Sequence, residues 1–257
     1  MARSKIKQKE KFLRKKIGMA IRDYGMIQKG DRICVAVSGG KDSLTLLKIL
    51  SSKTLKLALG FTLRAVHIVT DYRCSSCTHT DVLKKLFEEW GVEYHFGKAT
   101  VLKNSRSDKV SCFWCSWNKR KAIFEIAEKF NCNKVAFGHH KDDIIETVLL
   151  NLLFNGEIST MNAGQEMFKG KFTIIRPLCY TEEKETASYA KEAGFSNKIC
   201  RCPNAETSKR KFIKDFIKEA TKISSGIKSN LFHAPSRIRE DYLGRTAKDL
   251  RRENERV

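Results

Sequence analysis

Residues 35–43 have the sequence VAVSGGKDS, in which an apolar run leads into a serine, two glycines and the start of a helix pattern. Glycines let backbone amides approach an anion closely, and the N-terminus of the following helix adds unpaired donors and a partial positive charge. The stretch therefore predicts a phosphate-binding loop between a buried strand and a helix. It is not a Walker loop, because the GxxxxGK[ST] spacing is absent. A glycine-rich turn without a ligand is the alternative.

Short apolar segments alternate with amphipathic ones on both sides of this loop. The predicted strands are ICVAV (33–37), RAVHIV (64–69), VEYHF (92–96), KVAFG (134–138) and TIIRPL (173–178). The predicted helices are 42–50, 80–90, about 116–130, 142–153 and 206–220. Apolar residues at helical spacing are expected to face the core, namely Val82, Leu83, Leu86, Phe87, Trp90, Ile144, Ile145, Val148, Leu149 and Leu152. This order predicts an α/β fold with a Rossmann-like, doubly wound, mainly parallel sheet.

The chain is strongly basic, with 50 Lys and Arg against 29 Asp and Glu in 257 residues and a net charge of +21. Such a charge favours a polyanionic partner, nucleic acid before a membrane surface. We divide the chain into a basic helical N-terminal segment (1–28), an α/β domain (29–200) and a basic helical C-terminal segment (201–257). The N-terminal segment is either a solvated helix or a nucleic-acid arm, with Lys9, Lys11, Lys15 and Lys16 as its candidate contacts.

Neither a membrane span nor a secretory signal is predicted. No segment reaches the ~20 apolar residues that a span needs, and the basic N-terminus lacks the apolar core of a signal peptide. We therefore expect a soluble, cytoplasmic protein.

Nine cysteines in such a chain favour metal or redox chemistry over a disulfide framework. Cys112 and Cys115 form a CxxC pair predicted to lie just before a helix, and Cys200 and Cys202 provide distant partners. Three or four thiolates from separated loops suit either tetrahedral zinc or an iron–sulfur cluster, and periodicity does not choose between them.

A second CxxC pair, Cys74 and Cys77, follows a predicted strand. It is interpreted as a redox or sulfur-relay pair, as a zinc site with His79, or as two ordinary loop cysteines. The isolated cysteines are expected to be small buried side chains, namely Cys34, Cys132 and Cys179.

The string SGGKDS resembles the SGGxDS signature of the PP-loop ATP pyrophosphatases, a fold of the adenine nucleotide alpha hydrolase type. Those enzymes cleave ATP between the α and β phosphates and transfer AMP to a substrate oxygen. The resemblance implies that Ala36 and His67 border the nucleotide, while Lys41 and Arg120 offset phosphate charge. It also implies a set of residues that hold pyrophosphate and Mg²⁺, namely Ser38, Gly39, Gly40, Asp42 and Ser43.

The string GHHKDD, from Gly138 to Asp143, ends a later strand and opens the next helix. Open parallel sheets bind ligands at such strand ends, so we expect this turn to converge with the phosphate loop. Asp42 and Asp143 would then bind or position Mg²⁺, with Gly138 and Asp142 beside the nucleotide. Helix capping is the alternative role for Asp142 and Asp143.

Several longer strings resemble the TtcA family of tRNA-cytidine 2-sulfurtransferases over roughly residues 10–220. They are AIRDYGMIQKGDRICVAVSGGKDSLTLL (20–47), the CxxC pair with its basic helix, FGHHKDDIIETVLLNLLFNG (137–156) and IIRPLCY (174–180). The resemblance implies a 4Fe-4S cluster held by Cys112, Cys115 and Cys202, with one iron left open. The family has CxxC where this chain has CRC, so Cys200 is either a substitute ligand or a bystander. The Cys74 pair is not associated with the family.

The resemblance also implies the reaction. ATP adenylates the C2 oxygen of a cytidine, at position 32 of a tRNA anticodon loop, and sulfur replaces that oxygen as AMP leaves. The sulfur donor is a persulfide carrier or sulfide, and the enzyme is expected to be a homodimer. Aromatic residues beside the CxxC pair are candidates either for stacking on a splayed base or for ordinary packing, namely Phe113, Trp114 and Trp117.

Three other functions stay open at this point. One is 2-thiolation of a tRNA uridine by a related PP-loop enzyme, and another is a zinc-stabilised RNA-binding module without sulfur chemistry. The third is a PP-loop enzyme of the amidating or ligase type, which would not need the cysteines.

Overall fold

The structure, a computed structural model, describes residues 2–71, 80–102, 112–195, 209–242 and 244. The strands within these residues are β1 (Arg32–Ala36), β2 (Thr62–Thr70), β3 (Glu93–Ala99), β4 (Lys134–Ala136), β5 (Gly164–Met167) and β6 (Phe172–Ile175). They form one sheet in the order β3-β2-β1-β4-β6-β5. All neighbouring pairs are parallel except β5–β6. The mainly parallel α/β fold expected from the sequence is confirmed.

The helices in the described residues are α1 (Ala2–Asp23), α2 (Lys41–Leu50), α3 (Lys53–Leu59), α4 (Thr80–Glu89), α5 (Cys112–Lys129), α6 (Lys141–Asn155), α7 (Glu183–Glu192), α8 (Lys209–Ile223) and α9 (Ile227–His233). Short 3₁₀ turns follow at Ala234–Ser236 and Glu240–Tyr242. The predicted helices 42–50, 80–90 and 142–153 are confirmed within two residues at each end. The predicted start of the last helix, residues 206–208, lies outside the described residues.

Four elements differ from the sequence prediction. The sequence analysis did not predict α3, α7 or β5, whose segment GQEM has no apolar alternation because the strand is an exposed edge. Helix α5 begins at Cys112 rather than near Ser116, so Cys112 and Cys115 lie in its first turn and not before it. Side chains stabilise this early start, since Trp114 stacks on Trp117 one turn later and the Asn118 amide donates to the Trp114 carbonyl at 2.9 Å.

The sheet is buried on both faces, as β1 shows. Ile33 and Val35 belong to the core shared with α1, α2 and α7, whereas Cys34 and Ala36 belong to the core under α5. Both faces of the strand are therefore apolar, which is typical of a central parallel strand. The predicted burial of three cysteines is confirmed for Cys34, Cys132 and Cys179.

Two predicted core residues are exposed. Val82 is 47% exposed because α4 buries the stripe through Leu83 and Phe87, and Val82 lies one position to its side. Leu152 is 46% exposed in the last part of α6. The buried residues that α8 contributes, Ile213 and Ile217, pack with Ile145 and Leu149 further back along α6.

Helix α1 is basic on its outer side and apolar on its inner side. Leu13, Ile17 and Ala20 are buried in the main core. Two of the lysines considered as nucleic-acid contacts bind acidic residues of α7, at 2.9 Å for Lys9 Nζ to Glu192 Oε1 and 2.7 Å for Lys16 Nζ to Glu185 Oε1. The search for membrane spans, which covered the described residues, found no helix long and apolar enough to cross a bilayer.

Candidate active site

A cavity of about 370 Å³ opens where β1 and β4 end. Strand β2 runs past the end of β1 and forms one wall, and α5 forms another. The strand ends of an open parallel sheet are the usual ligand site, and this volume suits a nucleotide-sized ligand. The residues predicted to bind the nucleotide that line this cavity are Ala36, Ser38, Gly40, Asp42, Ser43, His67, Arg120, Gly138 and Asp143. Gly39, Lys41 and Asp142 were also predicted and are not among the lining residues.

The phosphate loop is held in shape by its own serines. Gly39 has φ of 86°, a left-handed conformation that a side chain would strain. The Ser43 hydroxyl lies 3.2 Å from that of Ser38 and donates to the Gly40 carbonyl at 2.9 Å. The Ser38 Oγ in turn accepts the Gly40 N–H at 3.2 Å. The loop's shape is therefore fixed by hydrogen bonds among its own residues.

The N-terminus of α2 differs from those of α6 and α7. Gly40 is its N-cap and offers no side-chain hydrogen bond, whereas α6 and α7 each begin with a capping box, at His140 and Glu182. The first amides of a helix have no partner within the helix. At α2 they are thus available to an anion in the cavity.

Gly138 lets the GHHKDD turn press against the phosphate loop. A Cβ atom built on Gly138 would lie 2.9 Å from the backbone nitrogen of Ser43 and 3.1 Å from the carbonyl carbon of Asp42. These are backbone atoms that cannot turn aside, so the position accommodates only glycine without a shift of the loop. The turn and the loop converge, as the sequence analysis expected.

The imidazole of His140 lies between two carboxylates. Its Nε2 is 4.0 Å from Asp42 Oδ2, and its Nδ1 is 3.2 Å from Asp143 Oδ2. His140 is the N-cap of α6, and its Nδ1 accepts the Asp143 N–H at 3.2 Å. Asp143 therefore takes part in capping and also lines the cavity, so the two roles considered for it are compatible.

Lys41 turns away from the cavity into an ion-pair network with α7 and α8. Its Nζ is 3.0 Å from Asp42 Oδ2 and 3.1 Å from Glu183 Oε1, and Glu183 also binds Lys214 at 2.6 Å. Burial alone would raise the pKa of Glu183, but Lys214 and Lys41 outweigh it and lower the pKa to about 2. The same carboxylates raise the pKa of Lys41 despite its burial.

Asp142 joins α6 to α9. It accepts the Glu183 N–H at 2.7 Å, and its carboxylate pairs with Lys228 at 2.5 Å. Burial opposes ionisation of Asp142, yet these two partners lower its pKa on balance. Asp142 therefore holds neighbouring helices together through a hydrogen bond and an ion pair.

Arg210 of α8 reaches the same edge of the cavity. It lies 3.4 Å from Asp143 and 3.5 Å from Glu146, which is only 4% exposed. Burial raises the pKa of Glu146, and Arg210 offsets part of that effect.

Two of the cavity residues that the sequence analysis missed carry ionisable side chains. Lys119 of α5 lines the cavity, and its signal in the sequence is its position one helical turn after Cys115. His139 also lines it and stacks on Phe137 with 5.6 Å between ring centroids. Burial, together with Arg176, Arg120 and Arg210, lowers the pKa of His139 to about 3, so this imidazole is neutral at pH 7.

Only some of the cysteines considered as metal ligands or redox pairs lie in the described residues. Cys112 and Cys115 are in the first turn of α5, and the Cys115 thiol is free and half-buried. Within the described residues no group of three or more His, Cys, Asp or Glu side chains is placed to hold a metal ion. The remaining candidates lie outside the described residues, namely Cys74, Cys77, His79, Cys200 and Cys202.

Aromatic side chains surround this turn of α5. Phe113 is 75% exposed and Trp117 is 46% exposed. Trp114 stacks on Trp117 with 5.5 Å between centroids and an angle of 7°, and its indole N–H donates to the Val101 carbonyl at 3.3 Å. Trp114 is therefore packed, while Phe113 and Trp117 present surface to solvent.

Residues 6–220 match the model of the PP-loop domain, so the chain belongs to the PP-loop domain family. A tRNA-cytidine(32) 2-sulfurtransferase from Geotalea uraniireducens (strain Rf4) is 34% identical to it, with 90% of this chain and 93% of the relative covered. The relative of that name from Geobacter sulfurreducens is 35% identical, covering 91% and 92%. The chain therefore belongs to the family of tRNA-cytidine(32) 2-sulfurtransferases, which are tRNA-modifying enzymes.

Among solved structures, the U34-tRNA thiolase NcsA from Methanococcus maripaludis, determined with its 4Fe-4S cluster, superposes with a TM-score of 0.74. It is 21% identical, and the match covers 93% of this chain and 84% of that one. This likeness shows that the two proteins share a fold.

Proposed function

We propose that this chain is an ATP-dependent tRNA thiolase that replaces the C2 oxygen of a cytidine, at position 32 of the anticodon loop, by sulfur. Helix α5 carries the proposal, because its first turn holds Cys112 and Cys115 while Ser116, Lys119 and Arg120 line the nucleotide cavity. Cys115 and Lys119 are one turn apart, ~6 Å along the axis. This spacing supports a cysteine site beside the nucleotide cavity.

The phosphate loop would bind the phosphates of ATP. The free amides at the start of α2 and the left-handed Gly39 form the cradle, and Asp42 and Asp143 supply the carboxylate oxygens that Mg²⁺ prefers. Both carboxylates line the cavity and lie on either side of the His140 ring, which supports their assignment to Mg²⁺.

The C2 oxygen of the base attacks the α-phosphorus, a P–O bond forms, and the bond to the β-phosphate oxygen breaks to release pyrophosphate. Negative charge develops on the phosphate oxygens during this step. Lys119 and Arg120 stand on the α5 wall, where they can offset it. Neutral His139 adds a hydrogen-bonding group to the cavity wall without adding charge.

The cysteines at the start of α5 are the candidate ligands of a metal cluster. Cys112 and Cys115 both lie in the first turn of α5, three positions apart. With Cys202 they would hold a 4Fe-4S cluster, which supplies an iron without a protein ligand for the incoming sulfur. Sulfur at the oxidation level of sulfide would then bond to C2, the C2–O bond would break, and AMP would leave with the original oxygen.

A single-stranded base can be splayed and stacked on an aromatic ring, whereas a paired base cannot. Phe113 and Trp117 offer exposed rings on the helix that carries the thiolates. The proposal includes a sulfur donor, either sulfide or a persulfide carrier together with a two-electron reductant, and a homodimer. Light scattering of the purified protein measures the oligomeric state.

Anaerobic purification followed by absorption spectroscopy and iron, sulfide and zinc analysis tests the metal assignment. About four irons per chain are expected in the wild type, with loss of iron in Cys115→Ala and retention in Cys132→Ala, which removes a buried cysteine away from the cavity. Zinc in place of iron would favour the RNA-binding module. Pyrophosphate release and thiolation that survive in Cys115→Ala would remove the cysteine pair from the reaction.

A further inference from the structure

A second cavity, of about 470 Å³, lies between α1 and α9. One of its walls is the outer side of α1, where Phe12 and Lys15 lie opposite the buried stripe. The other wall is the end of α9, with Phe232 and His233. We call this cavity the α1–α9 groove.

The groove combines aromatic rings with lysine ammonium groups. The Lys141 Nζ lies 5.3 Å from the centroid of the Phe232 ring, and Lys16 Nζ lies 5.0 Å from that of Phe12. Phe12 is nevertheless 48% exposed. This combination is typical of surfaces that track a nucleic-acid strand, where cations contact phosphates and rings contact bases or sugars.

The lysines of the groove are not equivalent. Lys16 is paired with Glu185, but no ion pair involves Lys15 or Lys141 among the described residues. Asp23 also lines the groove and is the acidic member of its described lining. Two ammonium groups therefore remain available to an external anion.

The groove begins at the GHHKDD turn. Lys141 is the first residue of α6, directly after His140 and two positions before Asp143, and its N–H donates to the Thr181 carbonyl at 2.8 Å. Tyr180, next to Thr181, lines the groove. A strand held in the groove would thus lead toward the edge of the ATP cavity.

We propose that the α1–α9 groove binds the sugar-phosphate backbone of the substrate tRNA. The inference rests on the proposed function and assigns its RNA-binding surface. Outside the groove, Lys5, Lys7 and Lys11 continue along α1 as exposed cations, so the positive surface extends beyond the groove in the way that an extended polyanion requires.

The experiment measures tRNA binding by the full-length protein as a function of salt. The double variant Lys15→Gln with Lys141→Gln removes the two available cations. The matched control is Lys53→Gln with Lys85→Gln, two exposed lysines on α3 and α4, which lie near β2 and β3 rather than β4. A further variant, Phe12→Leu, keeps apolar bulk and removes the ring.

The groove double variant should bind tRNA about tenfold more weakly at low salt, and the slope of log K against log salt should fall by about 1.5, since each lost phosphate contact lowers it by about 0.7 to 0.9. Phe12→Leu should weaken binding about fivefold with an unchanged slope. Binding of a non-hydrolysable ATP analogue without tRNA should not change in Phe12→Leu or in Lys15→Gln alone.

If the groove double variant binds tRNA with wild-type affinity and salt slope and still thiolates it, the groove does not bind tRNA. The proposed function would be unaffected by that result. If the groove variant instead binds tRNA normally but loses thiolation only with a protein sulfur donor, the groove serves an acidic protein and the RNA assignment is wrong. A wild-type protein that binds no tRNA would overturn both the groove and the proposed function.

Discussion

The guanidinium of Arg210 lies 3.4 Å from the carboxylate of Asp143, although the two residues are 67 positions apart in the chain. The contact ties α8 to the turn that lines the nucleotide cavity. It also places a cation beside a carboxylate assigned to Mg²⁺, so Arg210 and the metal would compete for or share that group. On its other side, Arg210 neutralises the buried Glu146.

Replacement of Arg210 by alanine is expected to lower the free energy of unfolding by about 1–2 kcal/mol, because Glu146 is left buried without its cation. Adding Glu146→Gln should restore most of that loss, since a neutral amide costs less to bury than a carboxylate. Thiolation should fall in Arg210→Ala because the contact with Asp143 is lost. It should stay low in the double variant, where that contact is still missing. Urea unfolding and a thiolation assay measure the two effects. If Glu146→Gln does not restore the lost stability, the unpaired carboxylate of Glu146 is not the cause of the loss.

The pH dependence of stability should report on Glu183. Its folded pKa of about 2 lies below its ordinary value of 4.5, so its ion pairs stabilise the fold above pH 4.5 and are lost as the pH falls toward 2. Glu183→Gln should therefore cost about 1–3 kcal/mol at pH 7 and progressively less below pH 4.5. Glu219→Gln, which removes an exposed pair with Lys222, serves as the control and should cost less than about 0.5 kcal/mol. A pH-independent cost would rule out the charge as its cause.

Gly138 should tolerate no side chain. Gly138→Ala forces the GHHKDD turn away from the backbone of Ser43, and we expect the dissociation constant for ATP to rise about tenfold or more. In Gly18→Ala a Cβ meets no atom within 4 Å, and this helical substitution should stabilise the protein by about 0.5–1 kcal/mol with ATP binding unchanged. Calorimetric titration with a non-hydrolysable ATP analogue compares the two. Equal affinities would show that the close approach is unimportant.

Neighbouring lysines of α1 should separate stability from RNA binding. Lys16→Gln removes the ion pair with Glu185 and should lower the free energy of unfolding by about 0.5–1 kcal/mol, with tRNA affinity little changed. Lys15→Gln should weaken tRNA binding without a loss of stability. If Lys16→Gln weakened tRNA binding as much as Lys15→Gln, the ion pair would not be what sets the two residues apart.

The phosphate loop and the GHHKDD turn could be predicted from the sequence because each is a short string of recognisable residues. Gly39 supplies its left-handed backbone by itself, whereas the bare Cα of Gly138 is needed because the turn meets the backbone of Ser43 far away in the chain. The buried strands were predictable because a central parallel strand is apolar on both faces, as β1 is from Ile33 to Ala36.

The partners that α7 and α8 bring to the site could not be predicted in this way. Glu183 meets Lys41 across 142 positions, and no periodicity in either segment encodes that contact. The early start of α5 was missed because its first turn is stabilised by the stack of Trp114 on Trp117. Long-range packing thus determines the ion pairs around the phosphate loop.

The most direct test of the central claim is mass spectrometry of tRNA after incubation with the anaerobically purified protein, ATP, Mg²⁺ and sulfide. The account predicts 2-thiocytidine at position 32, formed with one AMP and one pyrophosphate for each sulfur transferred, and absent without ATP. Sulfur found on a uridine, or ATP cleavage that leaves the tRNA unthiolated under these conditions, would contradict it.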